Sequence, residues 1–219
     1  MKQHYGFTLI ELIVVIVMLG ILSAVAAPKF MDLQSDSRVA YLNGLKGAIQ
    51  SANEVLHAYA VIHGLESLDL NSKSGVSHTK AMVRFDGNKI VQTTTDSDAQ
   101  GVFFLNYGYV ATTYGTSRNS GLVQIIGRNA NSTGKGANFT VRNYSGTSAN
   151  MRLTTCESNE SSQDLCYMGI VESGNYWNEA YIVLAGFKPT ECALHYEAAK
   201  KDANGKIIMP KITIISSGC

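Results

Sequence analysis

One carboxylate stands where carboxylates are costly. Glu11 lies inside an apolar run, residues 7–27, whose only other non-apolar members are Thr8, Gly20 and Ser23. A charge in such a segment needs a partner or a wet environment, so Glu11 is the first candidate for a functional group. The second set is Cys156, Cys166, Cys192 and Cys219, an even number that suits disulfides; zinc is disfavoured because no Cys-x-x-Cys unit occurs. Catalytic patterns are missing: there is no Gly-x-Ser-x-Gly elbow and no His-Glu-x-x-His, and residues 127–135 evoke a phosphate loop only superficially, because Lys135 is followed by Gly136 and not by Ser or Thr. His57 and His63 are spaced so that they do not share a helix face, and Asp96 with Asp98 falls well short of the oxygens calcium wants. The Asn-x-Ser/Thr triplets at Asn131, Asn138, Asn143 and Asn159 are read as chance. No enzymatic activity, metal or cofactor is expected.

The element that must position Glu11 is a helix. At about 1.5 Å per residue, residues 7–27 reach roughly the thickness of a bilayer core, and Lys2, with His4 when protonated, favours keeping the short leading end in the cytoplasm. A secretory signal peptide cut after Ala26, at Ala24-Val25-Ala26, competes with this reading and predicts a secreted monomeric binding module. The run is longer than a signal core, however, and it contains a carboxylate. With 18 basic against 17 acidic side chains and no basic block, the overall charge gives no footprint for phosphate backbones or an anionic membrane surface, and nucleic acid is not an expected partner. The apolar content excludes a disordered chain.

Beyond the run, Leu42, Leu45, Ile49, Ala52, Leu56, Tyr59 and Ile62 recur at helical spacing, while Asn43, Gln50, Asn53 and His57 are assigned to other faces. Gly64 is the expected stop. Gly20 and Pro28 bracket a stretch where helix is weak, and a break, as a kink or local melting, is expected between them. Gly44 and Gly47 suggest close approach of a neighbouring element.

The leading residues carry a resemblance. Gly6-Phe7-Thr8-Leu9-Ile10-Glu11-Leu12, followed by the apolar run, Gly20 and Pro28, resembles the N-terminus of type IV prepilins. The resemblance implies a leader of residues 1–6 removed by a prepilin peptidase between Gly6 and Phe7, and N-methylation of the new Phe7 amine. It also implies that Glu11 of one chain meets the Phe7 amine of the next and sets the assembly register. Residues 7–27 would then be the transmembrane and polymerisation helix, and residues 28–64 the amphipathic half of the same helix. In that family the segment between Gly20 and Pro28 unwinds inside the filament.

Residues 65–219 read as a β-rich head. Candidate strands are 82–85 and 89–92 around Asp86-Gly87-Asn88, then 139–144, 151–155, 167–171, 181–185 and 207–215, the last after an Asn204-Gly205 turn; residues 122–126 are ambiguous between helix and strand. A long helix laid on an antiparallel sheet is an α+β layer arrangement, and it is also the type IV pilin fold that the leading residues imply. Four cysteines allow three pairings, of which the sequential one is preferred because it closes the last segment.

Cys192-Ala-Leu-His-Tyr-Glu-Ala-Ala, residues 210–215 and Gly218-Cys219, with residues 42–52 of the helix, resemble major pilins of the mannose-sensitive haemagglutinin (MSHA) type. That resemblance implies a structural pilus subunit for surface adhesion and biofilm formation, with a minor pilin or a type II secretion pseudopilin as the alternative. The implied partners are identical subunits, the prepilin peptidase, an inner-membrane assembly platform with its ATPases, an outer-membrane secretin, the membrane before assembly, and a carbohydrate receptor. The implied location is the bacterial inner membrane and then an extracellular pilus.

Overall fold

The computed structural model describes residues 8–68, 82–86, 89–92, 102–112, 121–122, 125, 139–144, 155–156, 165–173 and 176–219. One helix, α1 (Leu9–Ile62), organises them. It runs 54 residues, about 81 Å at the standard rise. Its start is a capping box, in which Thr8 and Glu11 satisfy each other's backbone N–H groups. Its end is a Schellman closure: Leu65 N donates to Ala60 O at 2.8 Å, Gly64 N donates to Val61 O at 3.3 Å, and Gly64 takes the left-handed φ of 66° that favours a residue without a Cβ.

α1 stays helical between Gly20 and Pro28, so the local melting offered by the sequence reading is not present in the single chain. Gly20 costs about 1 kcal/mol relative to Ala and Pro28 removes one N–H. Melting a turn would forfeit several hydrogen bonds at once, and a lone chain offers the freed groups no partner.

The second half of α1 packs on two sheets. The first has strand order β2 (Lys89–Gln92), β1 (Met82–Asp86), β3 (Val102–Asn106), β4 (Tyr109–Val110). The second has the order β11 (Lys211–Ile215), β8 (Ala193–Glu197), β7 (Tyr176–Leu184), β6 (Leu165–Ser173), β5 (Phe139–Tyr144), antiparallel except for the β5–β6 pair. A short hairpin, β9 (Lys200–Lys201) and β10 (Ile207–Ile208), stands apart from both.

Several elements depart from the sequence reading. Residue 155 is not in a strand, and 151–154 lie outside the described residues. Leu122 and Ile125, in the stretch left open between helix and strand, are helical. The expected strand at 207–215 is divided at Met209-Pro210, since proline has no N–H to give a ladder. Strands β3, β4, β8 and β9 were not expected.

The core forms where Leu42, Ile49, Leu56 and Ala60 of α1 meet Leu105, Val110, Tyr167, Ile182, Leu194 and Tyr196, all fully or almost fully buried. Ile62, expected on this face, is 79% exposed, because six residues past Leu56 it points about 240° round the helix. Asn53, expected elsewhere, is buried. It lies within about 60° of both Ile49 and Leu56, and it forms the polar centre of the interface. Its Oδ1 accepts from Val110 N at 2.9 Å, its Nδ2 donates to Tyr196 Oη at 3.4 Å, and Tyr196 Oη donates to Val110 O. Every buried polar atom of this trio thereby gains a partner.

Burial pushes the Tyr167 and Tyr196 phenols well above the usual tyrosine range; proximity to Tyr196 raises Tyr167 further, and the bond to Asn53 offsets Tyr196 only in part. Their contribution to stability is therefore complete below about pH 10 and is lost as pH rises through the folded-state values. In an alkaline titration the exposed tyrosines should show phenolate absorbance first, and Tyr167 and Tyr196 only together with unfolding. Asn53→Ala strands Val110 N–H in the core and should lower the unfolding free energy by about 1–3 kcal/mol, read as a lower denaturant midpoint of the full chain in zwitterionic detergent.

Candidate functional site

Two regions carry the residues singled out by sequence. The first is the leading third of α1. Residues 9–25 are exposed on every side of the helix, including Leu9, Ile10, Leu12, Ile16, Met18, Ile21 and Leu22. The segment Leu9–Ala26 is long and apolar enough to cross a membrane, and a helix apolar all round is one that lipid or other helices must cover. Gly6 and Phe7 lie outside the described residues.

Glu11 sits in the first turn of this segment. Its Oε2 accepts from Thr8 N at 3.0 Å and from Thr8 Oγ1 at 2.8 Å, while Glu11 N donates to Thr8 Oγ1 at 3.4 Å. The carboxylate is thus engaged by its own helix end, near the positive pole of the macrodipole. Thr8 was missed as a functional residue by the sequence reading, although Thr-x-x-Glu ahead of an apolar run is the written signature of a capping box.

The second region is the foot of the head. Cys156–Cys166 and Cys192–Cys219 are bonded, the sequential pairing, with Cα separations of 5.7 and 4.8 Å. The two bridges serve opposite faces of the five-stranded sheet. Cys192 packs with the α1-facing core and Cys219 lies against it, whereas Cys156 and Cys166 join Met168, Tyr181, Val183 and Ala193 in a separate outer cluster. Arg38 ties the Cys192–Cys219 bridge to the helix: its Nη1 donates to Cys219 O and its guanidinium lies 5.0 Å above the Phe187 ring. Two further bonds hold the closing segment, from Gly218 N to Glu191 O at 3.0 Å and from Ser217 Oγ to Thr190 O at 3.3 Å.

His57 and His63 do not come together. His57 stacks on Tyr109 and His63 on Tyr59. Gly108, at φ 80°, lies so close to His57 Nδ1 that an added Cβ would sit 2.9 Å from it, so this turn is seated directly on the helix. Among the described residues, Gly44 and Gly47 have nothing within 4 Å of an added Cβ, so the expected close approach is not made by any of them. Asp96, Asp98, residues 127–135 and the sequons at Asn131, Asn138 and Asn159 lie outside the described residues.

Residues 1–27 match the family described as the prokaryotic N-terminal methylation motif. The type IV narrow pilus major component PilA5 of Thermus thermophilus is 32% identical over 96 residues, which cover 42% of this chain and 81% of that protein. This chain belongs to the type IV pilins. Two fimbrial proteins of Pseudomonas aeruginosa are each 29% identical over 102 residues, 45% of this pilin and 64% of theirs, just under two thirds of their length. No solved structure matches the pilin. Its long apolar-headed helix, antiparallel sheets and disulfide-closed last segment have the α+β type IV pilin arrangement, and it is a structural protein, not an enzyme.

Opening the Cys192–Cys219 bridge by Cys219→Ser should destabilise the head by about 3 kcal/mol through the freed loop. The expected readout is faster cleavage after residue 192 by added protease, with the Cys156–Cys166 bridge still formed in a mass map. Unchanged protease resistance would show that Arg38 and the backbone bonds hold the segment without the bridge.

Proposed function

We propose that the pilin is the structural, major subunit of an MSHA-type type IV pilus used for surface adhesion and biofilm formation. In this reading, residues 1–6 are a leader removed between Gly6 and Phe7 by the prepilin peptidase, and the Phe7 amine is then methylated. Residues 7–27 anchor the subunit in the inner membrane and later polymerise, residues 28–64 carry the head on the same helix, and residues 65–219 form that head. The assembly platform, its ATPases and the secretin pass the fibre outward, where it meets a carbohydrate receptor.

The observation that carries the proposal is an uncovered apolar helix bearing a single carboxylate and continuous with the core helix of a folded head. Such a segment exchanges lipid for copies of itself at little cost in exposed apolar surface. Before assembly Thr8 satisfies Glu11 locally; in the fibre a neighbour's Phe7 amine offers a full opposite charge in a medium of low dielectric. The stagger between neighbours is then set where that contact is made. The open flank at Gly44 and Gly47 leaves room for an adjacent copy. Once neighbours surround it, the stretch between Gly20 and Pro28 is the part of α1 that gives way under load, since it holds one hydrogen bond fewer than the rest.

Mass and N-terminal sequence of the protein from its host test the processing. A methylated Phe7 is expected, and Ala27 at the N-terminus would replace the fibre with a secreted module. Glu11→Val should leave membrane insertion and leader removal intact while abolishing fibres in the sheared fraction. Abundant fibres of normal subunit spacing from that variant would remove the charge-register mechanism.

A further inference from the structure

The β9–β10 hairpin has no role in the core or in the helix, and its surface has two chemistries side by side. Lys201 pairs with Ile207 and Lys200 with Ile208, and paired residues share a face of an antiparallel ladder. Lys201 lies 5.2 Å above the Tyr107 ring, which turns the Lys201–Ile207 face toward the head. The opposite face presents Lys200 beside Ile208, which is 43% exposed, and the chain then continues into Met209, 68% exposed. Lys206, at the turn, is also exposed.

The one acidic side chain of the hairpin is turned inward. Asp202 Oδ1 accepts from Asn204 N at 2.9 Å and from Lys206 N at 2.8 Å. Among the described residues no carboxylate lies within ion-pair distance of Lys200, Lys201 or Lys206, whereas Lys211 is already held by Glu197 at 3.5 Å. The turn is ordered before any partner arrives, by Asp202 N to Lys206 O at 2.9 Å and Gly205 N to Asp202 O at 3.0 Å, and its base is tied down where Asn106 Nδ2 donates to Ala199 O at 2.8 Å. Lys200 and Lys206 beside exposed aliphatic side chains form an interfacial pattern: their ammonium groups reach anionic headgroups while Ile208 and Met209 enter the acyl boundary.

We propose that this hairpin is a contact surface for anionic phospholipid bilayers. A polyanionic polysaccharide or nucleic acid would use the lysines but would leave Ile208 and Met209 without a role, and a neutral surface would leave the lysines without one. The proposal rests on the pilus reading for its strength, because one hairpin is a weak contact and a fibre repeats it many times.

Fibres sheared from the host and identified by electron microscopy are sedimented with vesicles of phosphatidylcholine, alone or mixed with phosphatidylglycerol. Retention on the mixed vesicles should exceed that on phosphatidylcholine by about tenfold or more at low salt and should fall toward the neutral level in high salt. Fibres carrying Lys200→Gln and Lys206→Gln together should lose the difference, and Ile208→Ser with Met209→Ser should lower it severalfold. Equal retention on both vesicle types overturns the proposal, as does unchanged retention of the double lysine variant. Unchanged retention of the Ile208 and Met209 variant, with dextran sulfate competing fully, assigns the surface to a soluble polyanion and likewise overturns it. Wild-type fibres alone carry the headgroup and salt comparisons, so a variant that fails to assemble does not block the test. A sheared fraction without fibres counts against the pilus reading instead. The full chain in phosphatidylcholine nanodiscs is then offered to the same vesicles, and the same headgroup and salt criteria decide.

Discussion

The continuity of α1 is the constraint on which the rest of the pilin depends. A single hydrogen-bonded rod from Leu9 to Ile62 has to satisfy two surroundings, one apolar on all sides and one apolar along a single stripe. Because a helix satisfies its own backbone polar groups, it can pass from one medium to the other without exposing them; an extended segment could not. The ends are where this breaks down, and both are closed from within the chain, by the Thr8–Glu11 box at one and by the Gly64–Leu65 turn at the other. The proposed assembly contact would use the same carboxylate that closes the lower end, so capping and assembly would share one group.

The head is fastened to the rod at separated levels by different chemistry. Near the foot, Arg38 reaches the Cys192–Cys219 segment and the Phe187 ring. Higher up, Leu42, Ile49 and Leu56 give apolar area, and Asn53 with Tyr196 and Val110 supplies directional bonds inside it. Apolar burial alone is tolerant of sliding or rotation, whereas a buried amide with two fixed partners allows one register. The other disulfide acts elsewhere: Cys156–Cys166 closes the outer cluster of the sheet, to which α1 contributes no buried apolar side chain among the described residues.

What could be read in advance followed from local rules. The apolar run, the stop at Gly64, the pairing of residue 86 with 89 around an Asp-Gly-Asn turn and the strands in 139–144, 167–171 and 181–184 are each set by neighbours in sequence. Strand β3 is buried at every position and shows none of the period-two alternation by which a half-exposed strand is recognised. Strands β4 and β9 are two residues long and exist only because β3 and β10 lie beside them. Helical spacing assigns Asn53 to a face away from the apolar stripe; its donor and acceptor come from strands more than fifty residues away.

By itself, then, the sequence determined that a bilayer-length helix bears one carboxylate, that this helix continues into an amphipathic half, and that a β-rich, disulfide-bonded head follows. These are properties of composition and spacing along a chain, and the leading motif placed the family. Tertiary structure alone decided which cysteines meet, which face of the sheet each bridge serves, that Asn53 is buried and Ile62 exposed, and that the Gly20–Pro28 stretch stays helical in a single subunit. Those outcomes depend on groups distant in sequence or on the absence of a neighbour. A hydrogen bond, a disulfide or a buried face is defined by two partners, and periodicity along one segment specifies only one of them.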